Sequence, residues 1–169
     1  MANITAAAVN ELRKRTGVGM MDCKKALVEC DGDMDKAIDY LREKGQKLAA
    51  KRADRDASEG AVLATVNADK TFAAVIMMNC ETDFVAKNED FVAFTREVLQ
   101  TAVDAKAKSL EEVMALTING LSVETMIVEQ VAKIGEKITL SHYYPIEAVA
   151  TYAYVHPGNR MASVVGLSK

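Results

Sequence analysis

Phe72-Ala73-Ala74-Val75-Ile76-Met77-Met78, followed at once by Asn79-Cys80-Glu81-Thr82-Asp83-Phe84-Val85, is the stretch on which the fold turns. Its first half is an unbroken apolar run of strand length, which suits a strand covered on both faces better than one with a wet side. Its second half reads as a short loop carrying a thiol, two carboxylates, a hydroxyl and an aromatic ring. Asn88 then caps a helix whose apolar residues recur as Phe91, Phe94, Val98 and Ala102. Loops held between rigid elements are where function concentrates. Phe84 reads either as a plug in the core or as an exposed tool, and the pattern alone leaves both open.

Working outward, Ala61 to Val66 forms the strand before this one, joined to Thr71–Met78 by the turn Asn67-Ala68-Asp69-Lys70. After the helix from Glu89 to about Ala105 comes a shorter one at Leu110–Leu116, opened by Ser109-Leu110-Glu111-Glu112. A third starts at Ser122, with Val123, Met126, Ile127, Val131 and Ile134 on one side and Gly135 at its end. Lys137–Tyr144 is a strand. Ala148–Val155 and Met161–Leu167 form a hairpin around His156-Pro157-Gly158-Asn159-Arg160, repeating the design of the first. The second copy is incomplete, since no helices follow to cover it. This hairpin is expected to join the first sheet; the alternatives are association with another chain or apolar surface left exposed.

The N-terminal part is helical. Thr5 caps a helix bearing Val9 and Leu12, with Gly17 as its stop. A second helix follows Gly19 with Met20, Cys23, Ala26, Leu27 and Cys30 in one core stripe. Asp33 caps a third, with Met34, Ala37, Ile38 and Leu41 inward and Gly45 at its end. Adjacent helical residues point about 100° apart, so Met21 falls with Lys24, Lys25 and Val28 rather than with the core. Exposed methionines suit adaptable contacts, with Arg13 and Lys24 as a polar rim; sealing the bundle is the alternative. Arg42–Arg55 holds six basic residues and reads as a helical connector with a solvated face. It has no aromatic residue for base stacking, which weakens an RNA reading without removing it. The fold class expected is α+β, with a helical domain at 1–57 and an antiparallel-sheet and helix core at 58–169.

Half of the 169 residues are apolar and the net charge is −3, so no global basic field calls for nucleic acid. No apolar run reaches membrane-span length and no signal peptide is visible. Three cysteines without close metal-ligand spacing, beside only two histidines, point to a reducing cytoplasm and no metal site. Phosphate-loop, Rossmann, zincin and serine-elbow patterns are absent. Cys80 lacks a histidine with a local signature for a base and reads as a small buried thiol. Glu81 and Asp83 could be imagined as an acid and base pair, but no motif around them supports that role. Binding is the stronger reading and catalysis the weaker, with no cofactor expected.

Thr16-Gly17-Val18-Gly19-Met20-Met21-Asp22-Cys23-Lys24-Lys25-Ala26-Leu27, Lys51-Arg52-Ala53-Asp54-Arg55, Asn79-Cys80-Glu81-Thr82-Asp83-Phe84-Val85-Ala86 and Ala132-Lys133-Ile134-Gly135-Glu136 together resemble bacterial translation elongation factor Ts. The likeness runs over nearly the whole chain. It implies a ubiquitin-associated-like three-helix domain before an α+β, dimerisation-type core. It implies a non-enzymatic exchange factor that promotes GDP release from elongation factor Tu and binds no nucleotide directly. Thr82, Asp83, Phe84 and Val85 would form the loop that dislodges Mg²⁺. Arg13, Met20, Met21 and Lys24 would touch the partner's GTPase domain, and His156 would press near its phosphate loop. Long family members complete the second half of the core, whereas this sequence stops at Lys169. A homodimer through the core, or a binding module for the same partner without exchange activity, therefore stays open.

Overall fold

Side-chain caps open two of the three N-terminal helices, the first and the third. The computed structural model describes residues 4–168, so the outermost bounds of the two expected domains lie outside it. The Thr5 hydroxyl accepts the Ala8 N–H at 3.2 Å and opens helix α1, Ala6–Thr16, which ends at Gly17 in a left-handed conformation (φ 69). Helix α2 spans Met20–Glu29, and α3 spans Met34–Lys51 behind an Asp33 carboxylate that accepts the N–H groups of Asp35 and Lys36. Val9, Leu12, Val18, Cys23, Ala26, Leu27, Ala37 and Leu41 form the buried core of the three.

Two expectations fail here. Met20 is not in the core: it opens α2 and remains 49 % exposed, whereas Val18, from the Gly17–Gly19 link, is buried in the core of the bundle. Gly45 does not end α3, which runs on to Lys51. A Cβ on Gly45 would meet the Ala132 methyl at 3.0 Å, so the missing side chain serves a close approach rather than a stop. Ala132 belongs to helix α7, Val123–Ile134. The described chain divides into two units, residues 4–55 with Ile127–Lys137 and Asp56–Met126 with 138–168. In the first unit Arg42 Nε meets Glu129 Oε1 at 2.8 Å, and Lys137 Nζ donates to the Ala53 and Arg55 carbonyls.

The second unit is built on an antiparallel sheet. Strand β1 (Glu59–Val66) pairs with β2 (Phe72–Cys80), and β2 pairs on its other side with β5 (Thr139–Glu147). The central strand is buried along nearly all its length, as its apolar run predicts. It is longer than expected and takes in Asn79 and Cys80. Helix α5, Glu89–Asp104, lies against β1 and β2 with Phe91, Phe94, Val98, Leu99 and Ala102 buried. Helix α6, Leu110–Ala115, is capped by Ser109. A miniature hairpin of β3 (Thr117–Ile118) and β4 (Leu121–Ser122), turned by Asn119-Gly120 at positive φ, was not expected.

The last hairpin, β6 (Ala150–Val155) and β7 (Ala162–Leu167), does not join the first sheet. The hairpin instead packs as a separate two-stranded layer against β1 and β2. Thr151 anchors it by donating its N–H and hydroxyl to the Lys70 carbonyl, at 2.7 and 2.9 Å. Tyr152, Tyr154, Val165 and Leu167 are left exposed.

Candidate functional site

The connection after β2 is shorter and more ordered than a loop. Thr82, extended at φ −122, caps a one-turn helix α4, Asp83–Ala86, and its hydroxyl accepts the Val85 N–H at 3.4 Å. Cys80, buried at the strand end, donates its thiol to the Thr82 carbonyl at 3.2 Å. Two residues beyond the end of α4, Asn88 accepts the N–H groups of Asp90 and Phe91 and starts α5. The turn is thus clamped at both ends by side-chain hydrogen bonds. Ala86 faces inward, Thr82, Asp83 and Val85 are half-buried, and Phe84 is 84 % exposed. Phe84 is therefore no core plug.

The Asp83 carboxylate meets Lys87 Nζ at 2.7 Å. That hydrogen bond, helped by the charges of Lys87 and Arg160, holds its carboxyl below the ordinary carboxylate range. Asp83 therefore stays charged through neutral and mildly acidic pH.

His156 stands exposed on the turn between β6 and β7, in the same unit as Phe84. Its Nδ1 lies 2.9 Å from the Tyr154 hydroxyl and its backbone N–H donates to the Met161 carbonyl at 2.8 Å. The turn is docked on the first strand where the Val62 N–H donates to the Asn159 carbonyl at 2.8 Å. A groove of about 360 Å³ opens there, lined by Leu63, Thr65, Arg96, Gln100, His156 and Asn159. Arg160 Nη2 meets Glu59 Oε2 at 2.8 Å across 101 positions of sequence, a pair that no local pattern signals.

Arg13, Met20, Met21 and Lys24 belong to the other unit. All four are exposed; Met21 reaches 75 %, and Val28, seven residues on, is 54 % exposed on the same side of α2. Burial pushes the Cys23 thiol up, so this cysteine is a packed core group. Among the described residues no cluster of three or more His, Cys, Asp or Glu could hold a metal ion, and no helix is long and apolar enough to cross a membrane.

The class defined by fold and site is an α+β chain: three helices, then antiparallel sheets with helices, presenting bare apolar side chains at the starts of α2 and α4. Residues 81–169 match the family model described as elongation factor TS, and residues 1–49 match that of the N-terminal part of elongation factor Ts, mitochondrial. The chain is 54 % identical to elongation factor Ts of Christiangramia forsetii over all of its own length and 61 % of that protein. It is 50 % identical to that of Flavobacterium johnsoniae over 99 % of its length and 52 % of the relative. This chain belongs to the elongation factor Ts family, a family of non-enzymatic exchange factors of translation. It spans between half and two thirds of the length of these relatives.

Proposed function

We propose that this chain promotes GDP release from elongation factor Tu in the cytoplasm by inserting the Thr82–Val85 turn beside the partner's nucleotide site. The observation that carries this reading is Phe84, a large ring held 84 % exposed on a turn clamped at both ends. A rigid wedge loses little conformational entropy on insertion. The charged Asp83 can redirect hydrogen bonds around Mg²⁺, whose octahedral shell tolerates little distortion and which bridges phosphate and protein oxygens. By linkage, whatever favours the nucleotide-free partner must be expelled by nucleotide to the same degree. Arg13, Met20, Met21 and Lys24 serve as the contact of the helical unit with the GTPase domain. His156 serves as a second contact, and the chain is expected to bind no nucleotide directly.

The domain division we propose is a ubiquitin-associated-like helical domain with its connector, then a dimerisation-type core. The exposed Tyr152, Tyr154, Val165 and Leu167 are the face through which the core would meet a second copy. The test of function is release of a fluorescent GDP analogue from elongation factor Tu. Acceleration by this chain is expected. Binding without acceleration would favour the second reading, a docking module, which is motivated by the greater length of the relatives.

A further inference from the structure

The wedge and His156 lie on chain segments more than seventy positions apart, and something must keep them in register. The turn carrying His156 contains Gly158 and Asn159, both at positive φ (91 and 55), and projects from a two-stranded layer that shares no strand pairing with the sheet below. Two bonds cross from that turn to β1. One is the Val62 N–H to the Asn159 carbonyl; the other is the Arg160–Glu59 ion pair. Glu59 is paired in register with Cys80, whose thiol holds the Thr82 carbonyl at the start of the wedge. Arg160 also contributes to the field that keeps Asp83 charged. One guanidinium thus belongs to the turn that bears His156, is ion-paired to the strand that supports the wedge, and adds to the field on the carboxylate of the wedge.

We propose that Arg160 is a positioning residue, which through Glu59 locks the 156–160 turn to the base of the Thr82–Val85 wedge so that Phe84 and His156 meet a partner as one surface. The inference rests on the exchange function proposed above. The bland alternative is a surface ion pair, and such pairs contribute little to stability. The role is therefore sought in geometry: small misplacements of a group that acts by position cost far more in rate than in folding.

The experiment compares Arg160→Gln, Arg160→Lys, Glu59→Gln and the Arg160→Gln/Glu59→Gln double variant. The readouts are GDP-analogue release from elongation factor Tu, thermal midpoint, and amide hydrogen exchange at Val62. Arg160→Gln should keep the midpoint near that of the parent, lower the acceleration about tenfold, and reduce Val62 protection. Glu59→Gln should do the same, the double variant should add nothing further, and Arg160→Lys should restore most of both signals. A lower rate with unchanged Val62 protection would mean that Arg160 touches the partner directly, and positioning would be wrong. Lost protection with an unchanged rate would equally overturn it, as would no change in either. If the parent chain itself fails to accelerate release, the exchange reading falls, and Val62 protection still decides whether Arg160 holds the turn.

Discussion

Phe84→Ala separates folding from function more sharply than any other substitution. The ring is 84 % exposed, so its removal takes almost nothing from the core. The caps at Thr82 and Asn88, which set the turn, do not involve it. Substitutions at such sites stay within about 0.5 kcal/mol in stability. On the partner's side the arithmetic reverses. An aromatic ring buries roughly 150 Å² or more on insertion, and at about 25 cal/mol per Å² this approaches 4 kcal/mol. Measured truncations of buried interface anchors run from about 2 to 4 kcal/mol, which corresponds to roughly 30- to 1,000-fold. The variant is therefore expected to melt with the parent and to lose at least about thirtyfold in affinity for nucleotide-free elongation factor Tu, or in acceleration of GDP release. Stopped-flow release of the fluorescent analogue measures the rate, and calorimetry measures the melt. A variant that melts normally and releases GDP as fast as the parent would refute the wedge.

Met21→Ser should leave stability within about 0.5 kcal/mol while weakening partner binding by roughly fivefold, because Met21 is 75 % exposed; titration calorimetry reads both binding and its heat. Gly60→Ala should destabilise the second unit by about 3 kcal/mol or more in urea unfolding, since the new methyl would collide with the Met78 carbonyl and lie 2.9 Å from Asn79 Cα, both backbone. Tyr143 donates its hydroxyl to the Ala107 carbonyl, and burial, reinforced by Glu112, pushes it up to about 12 from an ordinary 10. A raised pKa favours the protonated fold, so this contribution is complete below pH 10 and is lost as pH climbs from 10 to about 12. Tyr143→Phe should flatten the alkaline fall in stability over that window, as followed by circular dichroism.

What was legible in the sequence was local. Thr5, Asp33, Asn88 and Ser109 each announce a helix because the cap lies two or three residues from the amide it satisfies. The apolar run from Phe72 announces a strand buried on both faces because no polar residue interrupts it. Asn119-Gly120 was equally readable as a tight turn, but the strands on either side are too short to stand out. The errors arise where the answer depends on a distant partner. Met20 fits the core stripe of its helix yet lies exposed, while Val18, which belongs to no helix, is buried in the core. Gly45 looks like a stop until Ala132 is placed against it. The final hairpin has the composition of a sheet member, and only its packing in the fold shows that it forms a layer of its own. The candidate site divides the same way: the exposure of Met21 follows from helical geometry, whereas the Glu59–Arg160 pair is invisible without the fold.

The company that Gly45 keeps has a consequence for the order in which the chain is made. Its neighbours Val128 and Ala132 lie in the segment Ile127–Lys137, which belongs with residues 4–55. During synthesis the three N-terminal helices leave the ribosome before that segment exists. From Arg55 to Lys137 the ribosome must add another 82 residues, and at about 5–20 residues per second this takes roughly 4 to 16 s. Throughout that interval the face around Gly45 stays uncovered, so the nascent helical bundle waits in a half-finished state.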